Sequence, residues 1–205
     1  HYEYYKEDIE LLIELGIKAF RFSIEWSRIE PEEGKYNQKE IDHYVDKANL
    51  LLEKNITPIV TFHHFTTPEW LINDGLWASE KVITAFVNYV DVMMKNLPKD
   101  ITLFNTINEP GIFSMFGYLS KKKFPPGVQN EKVFLKASQN IIDAHKQSMK
   151  KIKEHNPNAK VGMTHALHEW DDNDTSLQKE YIKYHMEDKF LYASDEDDFI
   201  ALQTY

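Results

Sequence analysis

The sequence predicts an α/β fold whose parallel strands curl into a barrel. Two observations carry this. Helix-like and strand-like segments alternate along the whole chain, which is the pattern of strands joined by crossover helices. Polar or aromatic residues then follow several strands in turn: Glu25-Trp26-Ser27-Arg28, His63-His64, Asn108-Glu109, His165 and Gln203-Tyr205. An open doubly wound sheet concentrates such residues at one switch point, whereas a barrel gathers all its strand ends around one mouth. The chain has only seven glycines and no G-x-G-x-x-G or phosphate loop, which also disfavours the open sheet.

Residues 1–15 place Tyr5, Ile9, Leu12 and Ile13 on one helical face, and Gly16 follows as a stop. FRFSI (20–24) is short, apolar and strand-like. Residues 37–54 open with Asn37-x-x-Glu40, the pattern of a capping box, and continue with Ile41, Tyr44, Val45, Ala48, Leu51 and Leu52 on one stripe. ITPIVTFHH (56–64) reads as the next strand. A third helix starts near Ser79 with Val82, Phe86, Tyr89, Val90 and Met93 inward. TLFNTIN (102–108) is a strand. A long helix runs from Glu131 to Glu154 with Phe134, Ile141, Ile142 and Met149 inward. KVGMTHAL (160–167) is a strand, residues 178–192 are helical, and FIALQTY (199–205) is a fifth strand. Stretches 65–78 and 110–130 read as long loops after strands, where function concentrates. No repeat, low-complexity tract or linker divides the chain, so residues 1–205 are expected to form a single domain.

Composition narrows the partners. The 205 residues carry a formal charge of −9, 42% of them are hydrophobic, and no dense Lys/Arg tract occurs. Nucleic acid is not an expected partner, because phosphate neutralisation needs such tracts. Neither is a membrane, since no apolar run is long enough to span one. The chain lacks Cys, which removes disulfides and thiolate metal sites. It opens at His1 without a signal-peptide pattern, so its true N-terminus is expected further upstream; the compartment stays open, with a cytoplasmic protein favoured over a secreted one.

Several residues invite chemistry. Glu109 ends a strand, where a barrel mouth would use a carboxylate as general acid and base; a solvated loop Glu is the plain alternative. Arg21 shares a strand face with Ser23, opposite Phe20 and Phe22. Packing the phenylalanines under helices turns Arg21 inward, where a guanidinium needs an anionic partner; a structural ion pair would satisfy it as well. Adjacent His63 and His64 face opposite sides and cannot share one ion without a bulge. His165 and His168 have H-x-x-H spacing, which is loose. No metal and no cofactor are therefore expected. Trp26, Trp70, Trp77 and Trp170 could stack on sugar rings or simply pack the rim. No Gly-x-Ser-x-Gly elbow supports a serine nucleophile.

Taken together, the stretches at 1–31, "TPIVTFHHFTTPEWL" (57–71), "GLW" (75–77), "FNTINEP" (104–110), "FPPG" (124–127) and "DFIALQTY" (198–205) resemble family 1 glycoside hydrolases, the β-glucosidase and β-galactosidase family. The resemblance implies part of a TIM (β/α)8 barrel, about strands two to six. It implies Glu109 as the acid/base, Asn108 as the amide that holds the sugar 2-hydroxyl, and His64 as a sugar ligand of the innermost subsite. Arg21 and Tyr205 would position the nucleophile. Phe65 stands where Trp is usual, Gln203 where Asn is usual and Thr204 where Tyr is usual; these departures bear on substrate preference.

A complete barrel of this kind needs about 250 residues or more. The nucleophilic Glu, in a T-E-N-G-like motif, would lie outside this chain, and the piece alone is expected to be inactive. Its open sheet edges would need the remainder of its own chain or another copy to cover them. The substrate class implied is a small-molecule β-glycoside, hydrolysed with retention. Two other readings are a different barrel glycosidase, such as an endo-glucanase, and a non-catalytic sugar-binding or scaffold fragment.

Overall fold

The computed structural model describes residues 1–120, 125–171 and 173–204. Its five strands are β1 (Ala19–Ser23), β2 (Thr57–His63), β3 (Leu103–Asn108), β4 (Lys160–Leu167) and β5 (Ala201–Thr204). They form one sheet in the order β1-β2-β3-β4-β5, with every neighbouring pair parallel. The sheet curls. Arg21 of β1 and Ala201 of β5 line one cavity of about 290 Å³, together with Ile59, Leu103, Asn105 and Thr164 from the strands between them. That cavity is the concave side of an arc, so the expected partial barrel is present.

Helices cover the convex side: α1 (Tyr5–Glu14), α2 (Trp26–Ile29), α3 (Gln38–Glu53), α4 (Lys81–Asn96), α5 (Pro110–Tyr118), α6 (Glu131–His155), α7 (Leu177–Lys183) and α8 (Lys189–Ala193). The core lies between them and the sheet. Phe62 and Phe104 stack on neighbouring strands with centroids 5.9 Å apart. Beneath them Trp26 stacks on Tyr89 at 5.3 Å, and Phe86 meets both Trp26 and Trp77 at 5.5 Å. Offset and edge-on aromatic pairs of this kind add to the burial they accompany.

Several expectations are corrected. The α1 stripe is narrower than predicted: Tyr5 and Ile9 are buried on the side where α1 meets α3, but Ile13 is 39% exposed. Asn37 occupies the N-cap of α3, yet its side chain caps nothing. Glu40, the expected return partner, instead accepts from the Tyr2 hydroxyl at 2.5 Å. Met149 on α6 is only half-buried.

The stretches read as long loops hold structure. Two 3-10 segments, Glu69–Asp74 and Leu76–Ala78, occupy the first, and α5 opens the second. The predicted helix over 178–192 is three segments, with a π-helical turn at Tyr184–Asp188 between α7 and α8. The fifth strand starts at Ala201 rather than Phe199. Before it, Asp197 and Asp198 accept the backbone N–H groups of Met163 and Val161 on β4, and the Phe199 carbonyl crosses Gly162 so closely that a Cβ there would sit 2.1 Å away.

Candidate active site

The concave face carries a belt of polar side chains, one strand after another. Arg21 Nε of β1 donates to Thr61 Oγ1 of β2 at 2.8 Å. Asn105 Nδ2 of β3 donates to the same hydroxyl at 3.4 Å, and Thr164 Oγ1 of β4 donates to Asn105 Oδ1 at 3.0 Å. Above this belt the Arg21 guanidinium reaches across β2 and donates through Nη2 to Asn108 Oδ1. Sequence reasoning turned Arg21 inward but missed Thr61, Asn105 and Thr164. Their signal is the presence of Thr and Asn inside otherwise apolar strands.

A bulge makes this layout possible. Asn105 pairs with Gly162 and Asn108 with Thr164, so β3 spends three steps where β4 spends two. The extra residue breaks strict alternation and turns both Asn105 and Asn108 toward the concave side. Asn108 is buried; its oxygen is satisfied by Arg21, while its Nδ2 is buried without a hydrogen-bond partner among the described residues.

Glu109 follows at the mouth. It is 6% exposed and has φ 46° and ψ 59°, the left-handed region, which costs a non-glycine residue about 1–2 kcal/mol. Its backbone is held on both sides. The N–H donates to the Thr164 carbonyl at 2.7 Å, and the carbonyl accepts from Phe113 N–H at 2.9 Å in the first turn of α5. Pro110 at the first helical position supplies the fixed φ that starts the helix and has no N–H to leave unpaired. Gly111 comes next against the π-helical turn: a Cβ there would lie 1.7 Å from the Met186 carbonyl oxygen.

The two histidines part. His63 is fully buried among Trp77 and Phe113, each with its centroid 4.9 Å away, and its Nε2 meets Thr67 Oγ1 at 3.2 Å. Burial, with the neighbouring His64 imidazole, pushes its pKa down to about 3. His64 instead lies at the mouth, in a cavity of about 430 Å³ shared with Arg21, Ser23 and Thr61. Its pKa is lowered by partial burial first and by Arg21 second, against the opposing pull of Glu109 and Glu25. His64 is thus within electrostatic reach of both Arg21 and Glu109.

Phe65 takes a left-handed φ of 73°, stands edge-on to His64 at 5.0 Å and lies nearly parallel to Phe113 at 6.4 Å. The carboxylate of Glu25 accepts from the hydroxyls of Ser27 and Thr66 beside the mouth.

The structure therefore brings Arg21, His64, Asn108 and Glu109 to one end of the sheet. Tyr205 and Phe124 lie outside the described residues. Gln203 sits on β5 with a buried Oε1 that has no partner among the described residues. His165 and His168 do not converge: His165 Nε2 meets Ser194 Oγ at 3.1 Å, whereas His168 pairs with Glu187 at 2.9 Å. Of the tryptophans, Trp26 and Trp77 are fully buried, and Trp70 and Trp170 spend their indole N–H groups on the Glu30 carbonyl and the Glu187 carboxylate.

Comparison with known proteins agrees with this layout. The family model for glycosyl hydrolase family 1 matches residues 1–193. Beta-glucosidase A of Acetivibrio thermocellus is 38% identical over 164 residues, which is 80% of this chain and 36% of that protein. A 6-phospho-beta-galactosidase of Staphylococcus epidermidis is 37% identical over 169 residues, 81% of this chain and 35% of that protein. Among solved structures, a beta-glycosidase from Pyrococcus horikoshii superposes with a TM-score of 0.89 at 30% identity, covering all of this chain and 52% of its own. The beta-glucosidase from Thermotoga maritima in complex with glucoimidazole gives 0.87 at 28% identity, covering all of this chain and 54% of its own. The chain spans about a third of the length of the curated relatives it matches and about half that of the structures.

Proposed function

Because this chain belongs to glycosyl hydrolase family 1, we propose that the whole protein hydrolyses terminal β-glycosides with retention of configuration, and that Glu109 is its acid/base. The observation that carries the reading is the juxtaposition of Asn108, whose buried Nδ2 has no partner among the described residues, with the adjoining Glu109 at the strand end. A buried donor without a partner is costly unless a ligand supplies the acceptor. A sugar hydroxyl beside the scissile bond is such an acceptor. Arg21 holds Asn108 Oδ1, so the amide is oriented with Nδ2 left for the ligand. His64, which lines the same mouth, would take a second sugar hydroxyl.

The reaction runs in two displacements. A carboxylate outside this chain attacks the anomeric carbon. The glycosidic C–O bond breaks as Glu109 gives its proton to the leaving oxygen, and a glycosyl ester forms. Water then attacks the same carbon, Glu109 takes the water's proton, and the ester bond breaks to release the sugar. In a retaining enzyme the two carboxyl groups stand about 5–5.5 Å apart. Two charges about 5 Å apart repel by roughly 3 kcal/mol at an effective dielectric near 20, which favours a proton on the acid before the first step. Names of relatives such as beta-glucosidase and 6-phospho-beta-galactosidase support a β-linked glucoside or galactoside, phosphorylated or not. Phe65 beside His64 is placed to influence that choice.

Glu109→Gln in the full-length protein tests the reading. Turnover of a disaccharide should fall by about 10²–10⁴-fold. An aryl glycoside with a good leaving group needs little protonation and should be cleaved faster than the disaccharide, with azide restoring release of the sugar. Undiminished turnover of the disaccharide would sink the assignment. Preference for long polymers over aryl glycosides would favour an endo-glucanase, and sugar binding without turnover would favour a non-catalytic role.

A further inference from the structure

Behind β3 lies a buried chain of side chains that the hydrolytic reading does not use. Thr106, within the bulge, is fully buried, and its Oγ1 lies 2.7 Å from His145 Nδ1 on α6. His145, also fully buried, has its Nε2 2.7 Å from Asp197 Oδ1 in the segment before β5. The other oxygen of Asp197 accepts the Met163 N–H of β4 at 3.2 Å. A carboxylate only accepts, so His145 Nε2 bears the hydrogen and, in the neutral ring, Nδ1 accepts from the Thr106 hydroxyl. The chain of contacts thus runs Met163, Asp197, His145, Thr106, and joins β4 to β3 around the convex side of the sheet.

Its end point matters. Thr106 lies between Asn105 and Asn108, the pairs across which the β3 register shifts relative to β4. A bulged residue has lost its place in the backbone pairing and needs another hold. Three residues later Glu109 occupies a left-handed conformation that its surroundings must impose. The bulge and that turn are one continuous piece of backbone, and Thr106 is where its convex side is fastened. We propose that Asp197, His145 and Thr106 act as a positioning relay, which fixes the β3 bulge and through it the placement of Asn108 and Glu109. This rests on Glu109 being the acid/base. It gives a role in the reaction to residues on the far side of the sheet from the substrate.

The test uses full-length protein carrying Thr106→Val, which keeps the side-chain shape and removes the hydroxyl, Thr106→Ser, which restores the hydroxyl, and Glu109→Gln as reference. Misplacing a catalytic group by a fraction of an ångström should lower disaccharide kcat/KM by about tenfold in Thr106→Val. Activated aryl glycosides should be affected less in the glycosylation step, and Thr106→Ser should behave like the parent. A lowered melting temperature with an unchanged ratio of disaccharide to aryl rates would overturn the relay, since a merely structural contact predicts that result. Should Thr106→Val fail to fold, Asp197→Asn carries the same expectation of a changed ratio and the same refutation. If Glu109→Gln itself leaves the ratio unchanged, the acid/base assignment falls and the relay falls with it. If only the relay variants leave it unchanged, the relay alone falls.

Discussion

Lowering the pH from 7.5 to 5 should cost the folded protein about 4 kcal/mol through two buried histidines, His63 and His165. Burial pushes the pKa of His63 down to about 3. That of His165 is pushed down to about 4, by burial first, with His145 adding and Asp197 opposing. An unfolded histidine titrates near 6.5, so between that value and the folded pKa the unfolded chain holds a proton that the native one refuses. Stability therefore rises with pH through this window. The contribution is fully present above about 6.5 and is lost as the pH falls toward 4 for His165 and 3 for His63. At pH 5 each group has lost about 2 kcal/mol, at about 1.4 kcal/mol per pH unit below the unfolded pKa. His43, His64 and His185 are shifted in the same direction by burial and add to the slope.

Equilibrium urea unfolding of the full-length protein, followed by tryptophan fluorescence at a series of pH values, measures this loss. In His165→Gln the pH-dependent loss should shrink by about 2 kcal/mol, because one of the two groups no longer titrates. An unfolding free energy that is flat between pH 7.5 and 5, or a slope unaltered in His165→Gln, would refute the view of these imidazoles as core side chains held neutral.

Two further outcomes follow from contacts near the mouth. Arg21→Met removes the donor to Asn108 Oδ1 and Thr61 Oγ1, and leaving a buried acceptor unpaired should cost about 1–3 kcal/mol of stability and raise KM for the glycoside; unchanged stability and KM would show that neither contact matters. Gly111→Ala places a Cβ 1.7 Å from the Met186 carbonyl oxygen, so backbone must move and about 1–3 kcal/mol or more should be lost, read as a lower melting temperature with a fall in kcat; a fully stable, active variant would mean that the approach of α5 to the π-helical turn is not tight.

Much of this architecture is legible in the chain because parallel strands buried on both faces read as apolar runs. Lys160–Leu167 matches its predicted bounds, and Arg21 turns inward because Phe22 must be covered by helices. What escaped reading depends on neighbours that sequence does not reveal. PGIFSMFGY looks like a loop, with a proline and two glycines in nine residues, but all three are placed where they do little harm. Pro110 starts the helix, while Gly111 and Gly117 press against backbone that would exclude a side chain. The Asn37–Glu40 pair has the spacing of a capping box and loses it because Tyr2, far off in sequence, draws Glu40 away. Alternation cannot foresee the bulge at Asn105–Asn108, since one inserted residue changes the face of everything after it. The roles given to His64 and Asn108 rest on the resemblance to a family, and the contacts of His145 with Thr106 and Asp197 were legible by neither route.

The strand order has a consequence for how the molecule is made. Each strand pairs with the one that precedes it in the chain: Ala19 meets Thr57, Leu103 meets Lys160, Thr164 meets Ala201. Among the described strands no pairing waits for a segment beyond the next crossover, so each costs the closure of a single helix-bearing loop, and that cost grows only slowly with loop length. On a ribosome, which releases the N-terminal part first, the sheet can lengthen by one strand at a time from the end already emerged. The turn at Glu109 is completed by the Thr164 carbonyl of β4. One hold on this left-handed residue of the mouth can thus be made as soon as the fourth strand docks, before β5 has joined the sheet.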